Sequence, residues 1–200
     1  MNTRDRIVSA AAEVIRDRGL ARATTKEIAR AAGLSEAALY KHFRDKTDLF
    51  MAVLGERGPT TLGAVLARLP ERAGAEPVAV VLHDVALAAA DFYDQGFPMA
   101  ASLFSEPALL AAHRTALKER GAGPQMPALA LTAYLRGEQD LGRLDPEADA
   151  AAAAQMLLGS CLQRAFLGHF ADHPPEKTAS FASALVETLL RGLSPRTTAP

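Results

Sequence analysis

The chain has no tryptophan and only one cysteine, Cys161, so it offers neither an internal disulfide framework nor a multi-cysteine metal centre. A lone thiol fits a reducing compartment, and the expected localisation is cytoplasmic. Aromatic residues are scarce, at 6% of 200 residues. Uncharged apolar runs of bilayer-crossing length are missing too. The longest candidate, "AAAAAQMLLGSCLQRAFLGHF", carries Arg164 and His169 and reads as a buried helix, so no membrane partner is expected. The opening "MNTRDRIVSAAAEVIRDRG" is charged throughout and has no apolar centre of the kind a secretory signal needs. Charge of one sign is lacking overall: the net charge is −1, which excludes a chain that binds nucleic acid by bulk electrostatics. Enzyme motifs are absent as well. There is no Gly-x-Ser-x-Gly elbow, phosphate-cradling glycine loop or His-Glu-x-x-His, so no catalytic residue, cofactor or metal is expected.

What is present is alanine and leucine, within a 49% apolar composition that favours helices. No segment alternates with period two for long enough to be a strand, whereas apolar residues recur at three and four. The chain reads as all-α. A first helix is expected from a Thr3 cap to Gly19, with Ile7, Val8, Ala11, Val14 and Ile15 on one face. Thr24 and Glu27 have capping-box spacing, which starts a second helix at Thr25 that stops before Gly33. Ser35 caps a third, from Glu36 to Phe43, and Asp45 and Asp48 open a fourth led by Leu49, Phe50, Val53 and Leu54. Gly55, Gly58 and Pro59 interrupt it, and it resumes from Thr60 to Leu69. Later helices are expected at 78–95, 108–120, 128–140, 147–170 and 178–193, with Pro98, Pro107 and Pro174–Pro175 among the breakers. The boundaries predicted are a helix-turn-helix domain at 1–48, a larger helical domain at 49–195 and a frayed tail at 196–200.

The segment "AAGLSEAALYKHFRDK" shows two short helices joined by a tight turn, which is helix-turn-helix geometry. Ala29 is small where the helices approach. Gly33 supplies the left-handed turn, and Ile28, Leu34 and Leu39 are spaced to share one wedge. Glu36, Ala37 and Ala38 occupy the first turn, the part of a recognition helix that meets base edges. The alanine methyls suit thymine methyls, and Glu36 either accepts from cytosine or holds a neighbouring cation. Tyr40, Lys41 and His42 lie at the outward end, facing the DNA backbone, and Lys46 adds charge at the next helix. Up to Phe50 there are ten Lys/Arg against seven Asp/Glu, a balance of +3, whereas the remainder holds twelve against sixteen, or −4. Any DNA contact therefore belongs to the N-terminus.

Those residues, "TTKEIARAAGLSEAALYKHFRDKTDLF", closely resemble the N-terminal signature of the TetR (tetracycline-repressor) family of bacterial transcriptional regulators, over about Asn2 to Val53. The resemblance implies a homodimer with a three-helix reading head on double-stranded operator DNA and a larger domain for a small-molecule effector. It implies a repressor, released by a small apolar or amphipathic compound. Carried over by position, Thr24 or Thr25, Ser35, Tyr40, His42 and Lys46 match phosphate-contacting places, and Lys26, Glu36, Ala37 and Ala38 match places near the bases. Where Ala37 and Ala38 stand the family often has glycine or a hydroxyl residue. Base readout by this helix is thus sparse, and Lys26, the arm residues Arg4 and Arg6, or DNA shape supply specificity.

The remaining three-quarters offers two features. Phe92, Tyr93, Phe97 and Phe104, with Met99, crowd four aromatics into thirteen residues. They are either a wall of an apolar effector pocket, joined by Met126 and Phe166, or simply core with Gly96–Pro98 as a turn. The last two helices each carry an apolar face, the first with Met156, Leu157, Leu158, Cys161, Leu162, Ala165, Phe166 and Phe170. The second face holds Phe181, Leu185, Val186 and Leu189. These faces complete one subunit's core or pair with a twin in a four-helix bundle, which the resemblance favours. Gln163 and Arg164 are placed for salt bridges across that interface. His113 and His169 are ligand contacts, pH-sensitive groups or partners of nearby polar atoms, His173 is a loop residue, and Cys161 is an oxidant sensor or plain core. A protein-binding helical adaptor is the competing class, and it would not require a Ser-capped basic helix. The Gly55–Gly58–Pro59 interruption suggests a hinge through which effector binding moves the reading heads.

Overall fold

A computed structural model describes residues 2–20, 22–56, 61–171 and 176–193, with positions 55 and 56 described by backbone alone. Among the described residues there are eleven helices and no strand. They are α1 (Thr3–Arg18), α2 (Thr25–Ala31), α3 (Glu36–Leu39), α4 (Lys46–Glu56), α5 (Thr61–Ala67) and α6 (Leu69–Arg72). Next come α7 (Val78–Phe104), α8 (Pro107–Glu119), α9 (Met126–Asp140), α10 (Ala150–Phe170) and α11 (Thr178–Leu193). Gly58 and Pro59 of the expected hinge, His173, Pro174–Pro175 and the tail expected to fray lie outside the described residues.

Several ends differ from expectation for local reasons. The cap of α1 is Asn2, not Thr3: Asn2 and Asp5 form a reciprocal capping box. Helix α3 is shorter than the expected 36–43. After Leu39 the chain tightens, with the Lys41 and His42 N–H groups donating three residues back, to Ala38 and Leu39. α10 begins at Ala150 rather than at 147, because Asp149 accepts from the N–H groups of Ala151 and Ala152.

The largest departure is α7, which runs through Pro98 instead of turning at Gly96–Pro98. Proline has no N–H for the carbonyl four residues earlier, that of Asp94. His169 on α10 fills the place, its Nε2 donating to the Asp94 carbonyl at 2.9 Å. Ser102 returns a hydroxyl bond to the Pro98 carbonyl at 2.8 Å.

The chain divides into two compact units, 1–59 with 96–123 and 60–95 with 124–200. The first is larger than the expected 1–48, because Leu49, Phe50 and Val53 of α4 bury with Ile7, Val8, Ile28 and Leu39, and Leu103 and Leu109 join the same core. α4 is therefore a fourth wall of the head. Each fully buried leucine there contributes about 1.5–3 kcal/mol. The second unit packs Leu82, Val85 and Ala89 of α7 against Leu131 and Leu135 of α9, Leu157 and Cys161 of α10 and Val186 of α11.

That second core also holds charge. Glu138 is fully buried. Its Oε1 accepts the Gly74 N–H at 3.0 Å and its Oε2 lies 3.2 Å from Arg143 Nε. Nearby, Arg72 forks to both oxygens of Glu76, at 2.8 and 2.7 Å, and reaches Asp84 at 2.7 Å. Burial, with Glu138 beside it, raises the Tyr134 phenol well above its ordinary range.

Candidate nucleic-acid interface

The reading head is fixed from the backbone outward. At the start of α2, Thr24 and Glu27 close their capping box. The Glu27 N–H donates to the Thr24 hydroxyl at 3.2 Å, and that hydroxyl donates to Glu27 Oε2 at 3.1 Å. The bond from Thr24 is the main reason the Glu27 carboxyl titrates below its ordinary value, with Arg18 and Arg30 adding to it. At the other end the Leu34 N–H reaches the Ala29 carbonyl at 2.8 Å and the Gly33 N–H reaches Arg30 at 3.0 Å, a Schellman turn. Gly33 sits at φ +68°, as that turn requires. Arg6 closes the turn by donating to the Ala32 carbonyl at 2.7 Å. Arg6 was expected in an arm reaching for DNA. It is instead a residue of α1 that holds the turn, a contact 26 positions away that no spacing rule reveals.

Ser35 then accepts the Ala38 N–H at 3.2 Å and starts α3. Leu39 is fully buried and Phe43 nearly so, and the Arg4 guanidinium lies 5.3 Å from the Phe43 ring centroid. With that side anchored, Ala37, Tyr40, Lys41 and His42 face solvent, as do Thr24, Lys26 and Ser35, while Glu36, Ala38 and Lys46 are half-buried. The Lys46 ammonium sits 5.0 Å from the Phe50 ring centroid. Thr25 behaves differently from its exposed neighbours. It is 9% exposed, its hydroxyl donates to Glu36 Oε1 at 2.5 Å, and it accepts from the Tyr40 hydroxyl at 3.3 Å.

The expected effector and dimer residues are placed less uniformly. Phe92 and Tyr93 meet edge to face at 5.3 Å and pack on the second core, whereas Met99 packs on the first. Phe97 is half-buried. Phe104 is 70% exposed, and Met126 and Phe166 are also exposed, so these three are surface residues and not walls of an enclosed pocket. Phe166 stacks on Phe170 with centroids 5.8 Å apart. Of the expected dimer face, Leu157, Leu158, Cys161 and Ala165 are buried in the single chain, the first three in one core with residues of α7 and α9. The outward side carries Met156, Leu162, Leu167 and Phe170, beside half-buried Phe181, Leu185 and Leu189 of α11. A groove of about 680 Å³ between these helices is lined by Gln163, Leu167, Phe181 and Leu185. Arg164 was expected to bridge to a twin. It donates within the chain, to the Glu176 carbonyl at 2.7 Å and the Thr178 hydroxyl at 3.2 Å.

Two further side chains settle into structural roles. The Cys161 thiol donates to the Ala86 carbonyl at 3.6 Å, and burial pushes its pKa up to about 12, which leaves almost no thiolate for oxidant sensing. Burial, aided by Arg120, lowers the His113 pKa.

The arrangement at Thr24–Lys46 has helix-turn-helix geometry. Residues 7–53 match the bacterial regulatory proteins of the tetR family. The transcriptional repressor BepR of Brucella suis is 43% identical over 53 residues, which is 26% of this chain and 25% of BepR. The transcriptional regulator SrpR of Pseudomonas putida is 46% identical over 55 residues, 28% of this chain and 26% of SrpR. The chain thus spans about a quarter of the length of these curated relatives. Across the full length the likeness is one of fold. A Mesorhizobium loti protein assigned to the TetR family superposes with a TM-score of 0.71 at 20% identity, covering 96% of both chains. FadR of Bacillus subtilis, solved with stearoyl-CoA, superposes with a TM-score of 0.65 at 19% identity, covering 94% of this chain and 98% of FadR. Residues 7–53 are thus similar to the N-terminal domain of the TetR family, and the whole chain shares the fold of solved proteins assigned to that family. Among the described residues no helix is long and apolar enough to cross a membrane.

Proposed function

We propose that the protein is a dimeric transcriptional repressor that binds double-stranded operator DNA through α2 and α3 and is released by a small apolar or amphipathic effector. One observation carries the reading: α3 is anchored by buried Leu39 while Ala37, Tyr40, Lys41 and His42 project outward behind a serine cap. A small leading end and a basic trailing end suit a helix in the major groove, with exposed Lys26 and Lys41 beside it for phosphate. A single head with so few cationic contacts binds weakly, and two heads at fixed spacing supply the avidity. The outward side of α10, where Met156 is 63% and Phe170 79% exposed, supports pairing with a twin across α10 and α11. That a protein of the same fold holds stearoyl-CoA supports an effector with apolar character.

The test is duplex binding against salt. Phosphate neutralisation gives a log–log slope of about −0.9 per contact, steepened by two heads, and a protein-binding adaptor gives almost none. Leu167→Glu is expected to convert dimer to monomer in sedimentation and to weaken duplex binding with it. A wild-type chain that binds no duplex at low salt would refute the proposal.

A further inference from the structure

We infer that Glu36 is a specificity residue whose carboxylate selects cytosine in the major groove, and that Thr25 and Tyr40 act as its positioning residues rather than as phosphate contacts. The inference rests on the DNA-binding reading above and goes on to name what one side chain reads.

The direction of the hydrogen bonds decides it. A carboxylate only accepts, so Thr25 Oγ1, 2.5 Å from Glu36 Oε1, must be the donor. A hydroxyl has one proton, and this one is committed to Glu36. What Thr25 retains is acceptor capacity, and the Tyr40 hydroxyl 3.3 Å away donates into it. Both protons therefore run inward, from Tyr40 to Thr25 to Glu36. A phosphate oxygen needs a donor, and neither hydroxyl has one left. Thr25 is too buried to turn away from this arrangement.

The other carboxylate oxygen makes no hydrogen bond among the described residues, and Glu36 borders a shallow hollow of about 420 Å³ shared with Lys26, Arg30 and Ser35. Lys26 and Arg30 offset the repulsion between a carboxylate and the nearby phosphates. In the major groove the edges that donate are cytosine N4 and adenine N6, while guanine O6 and N7 and thymine O4 only accept. A carboxylate favours the first kind and repels the second. Cytosine offers its amino group without the adjacent N7 acceptor of adenine, so it is the preferred base. Ala37 and Ala38 alongside leave room for the approach.

The experiment is selection of duplexes from a random library by the full chain, followed by affinities for the selected duplex and its single-base variants across a salt series. Wild type is expected to enrich cytosine at one position of each half-site. Glu36→Gln adds a donor and is expected to move that preference toward adenine, by on the order of tenfold. Thr25→Val and Tyr40→Phe are expected to flatten the preference, and Thr25→Ser to restore it, which separates the hydroxyl's role from any loss of folding. If Tyr40→Phe weakens every duplex alike and keeps the base preference, with the salt slope unchanged because a phenol carries no charge, Tyr40 is a phosphate donor and the inference falls. It falls also if Glu36→Gln leaves base preference untouched. Should wild type select no duplex at all, the DNA-binding reading fails first and takes this one with it.

Discussion

Glu36 and Glu138 show how differently the two units treat the same side chain. Glu36, half-buried on the head, is held by a neutral hydroxyl and keeps one oxygen unengaged among the described residues. Glu138 has no solvent at all, and a backbone N–H and a guanidinium stand where water would be. A carboxylate removed from water needs compensating donors and charge, because an unmatched one is costly. The first arrangement leaves capacity for an outside partner. The second ties the turn after α6 to the end of α9, its Oε1 held by a backbone N–H and its Oε2 by the Arg143 charge without a hydrogen bond.

The comparison breaks most sharply at Glu138. Glu138→Ala leaves the Gly74 N–H without its acceptor and Arg143 without its carboxylate, and is expected to lower unfolding stability by about 3 kcal/mol in urea denaturation, near the low end for buried pairs because Arg143 keeps the Glu76 carbonyl and still reaches solvent. A loss below about 1 kcal/mol, the size of an ordinary neutral hydrogen bond, would show that the pair is not a clamp. Next is Gly33→Ala, expected to lose about 1–2 kcal/mol from its left-handed backbone, the new Cβ meeting the Arg6 guanidinium only at ordinary contact distance, 3.4 Å. Unaltered thermal stability would argue against the turn as drawn. His169→Ala is expected to lose about 1 kcal/mol, and less in a Pro98→Ala background, where the substituted alanine supplies the missing N–H. Equal losses in the two backgrounds would mean that His169 does not serve the Asp94 carbonyl. The smallest effect is in pH. Glu27 titrates below its ordinary value of 4.5, so its contribution is complete above that value and is lost as pH falls through the depressed one. The protection factor for amide exchange at the start of α2, in which the intrinsic pH dependence cancels, is expected to fall on acidification through that window, and to stay flat in Thr24→Ala with Glu27→Gln.

The head was largely legible because its determinants are local. Thr24 with Glu27, Gly33 after α2 and Ser35 before α3 each act within a few residues, and apolar spacing named Ile28 and Leu39 as core. What spacing missed joins residues far apart in sequence: Arg6 with Ala32, and Thr25 with Glu36. The larger unit was harder to read for a related reason. α10 is apolar around much of its circumference, so periodicity could not say which side its own unit would take. The expectation gave Leu157 and Cys161 to a twin, whereas packing on α7 took them inward and left Met156 and Phe170 out. Proline at 98 argued for a break, and only a histidine 71 positions later removed the need for one.

That histidine implies a dependency across generations of sequence. A helix that passes a proline by borrowing a donor from another helix makes the two sites hostage to each other. Losing His169 first leaves a bare oxygen in α7, whereas losing Pro98 first restores the N–H for which the histidine stands in. Descendants of this chain should therefore abandon position 98 before position 169, and pairs with proline but no donor should be rare.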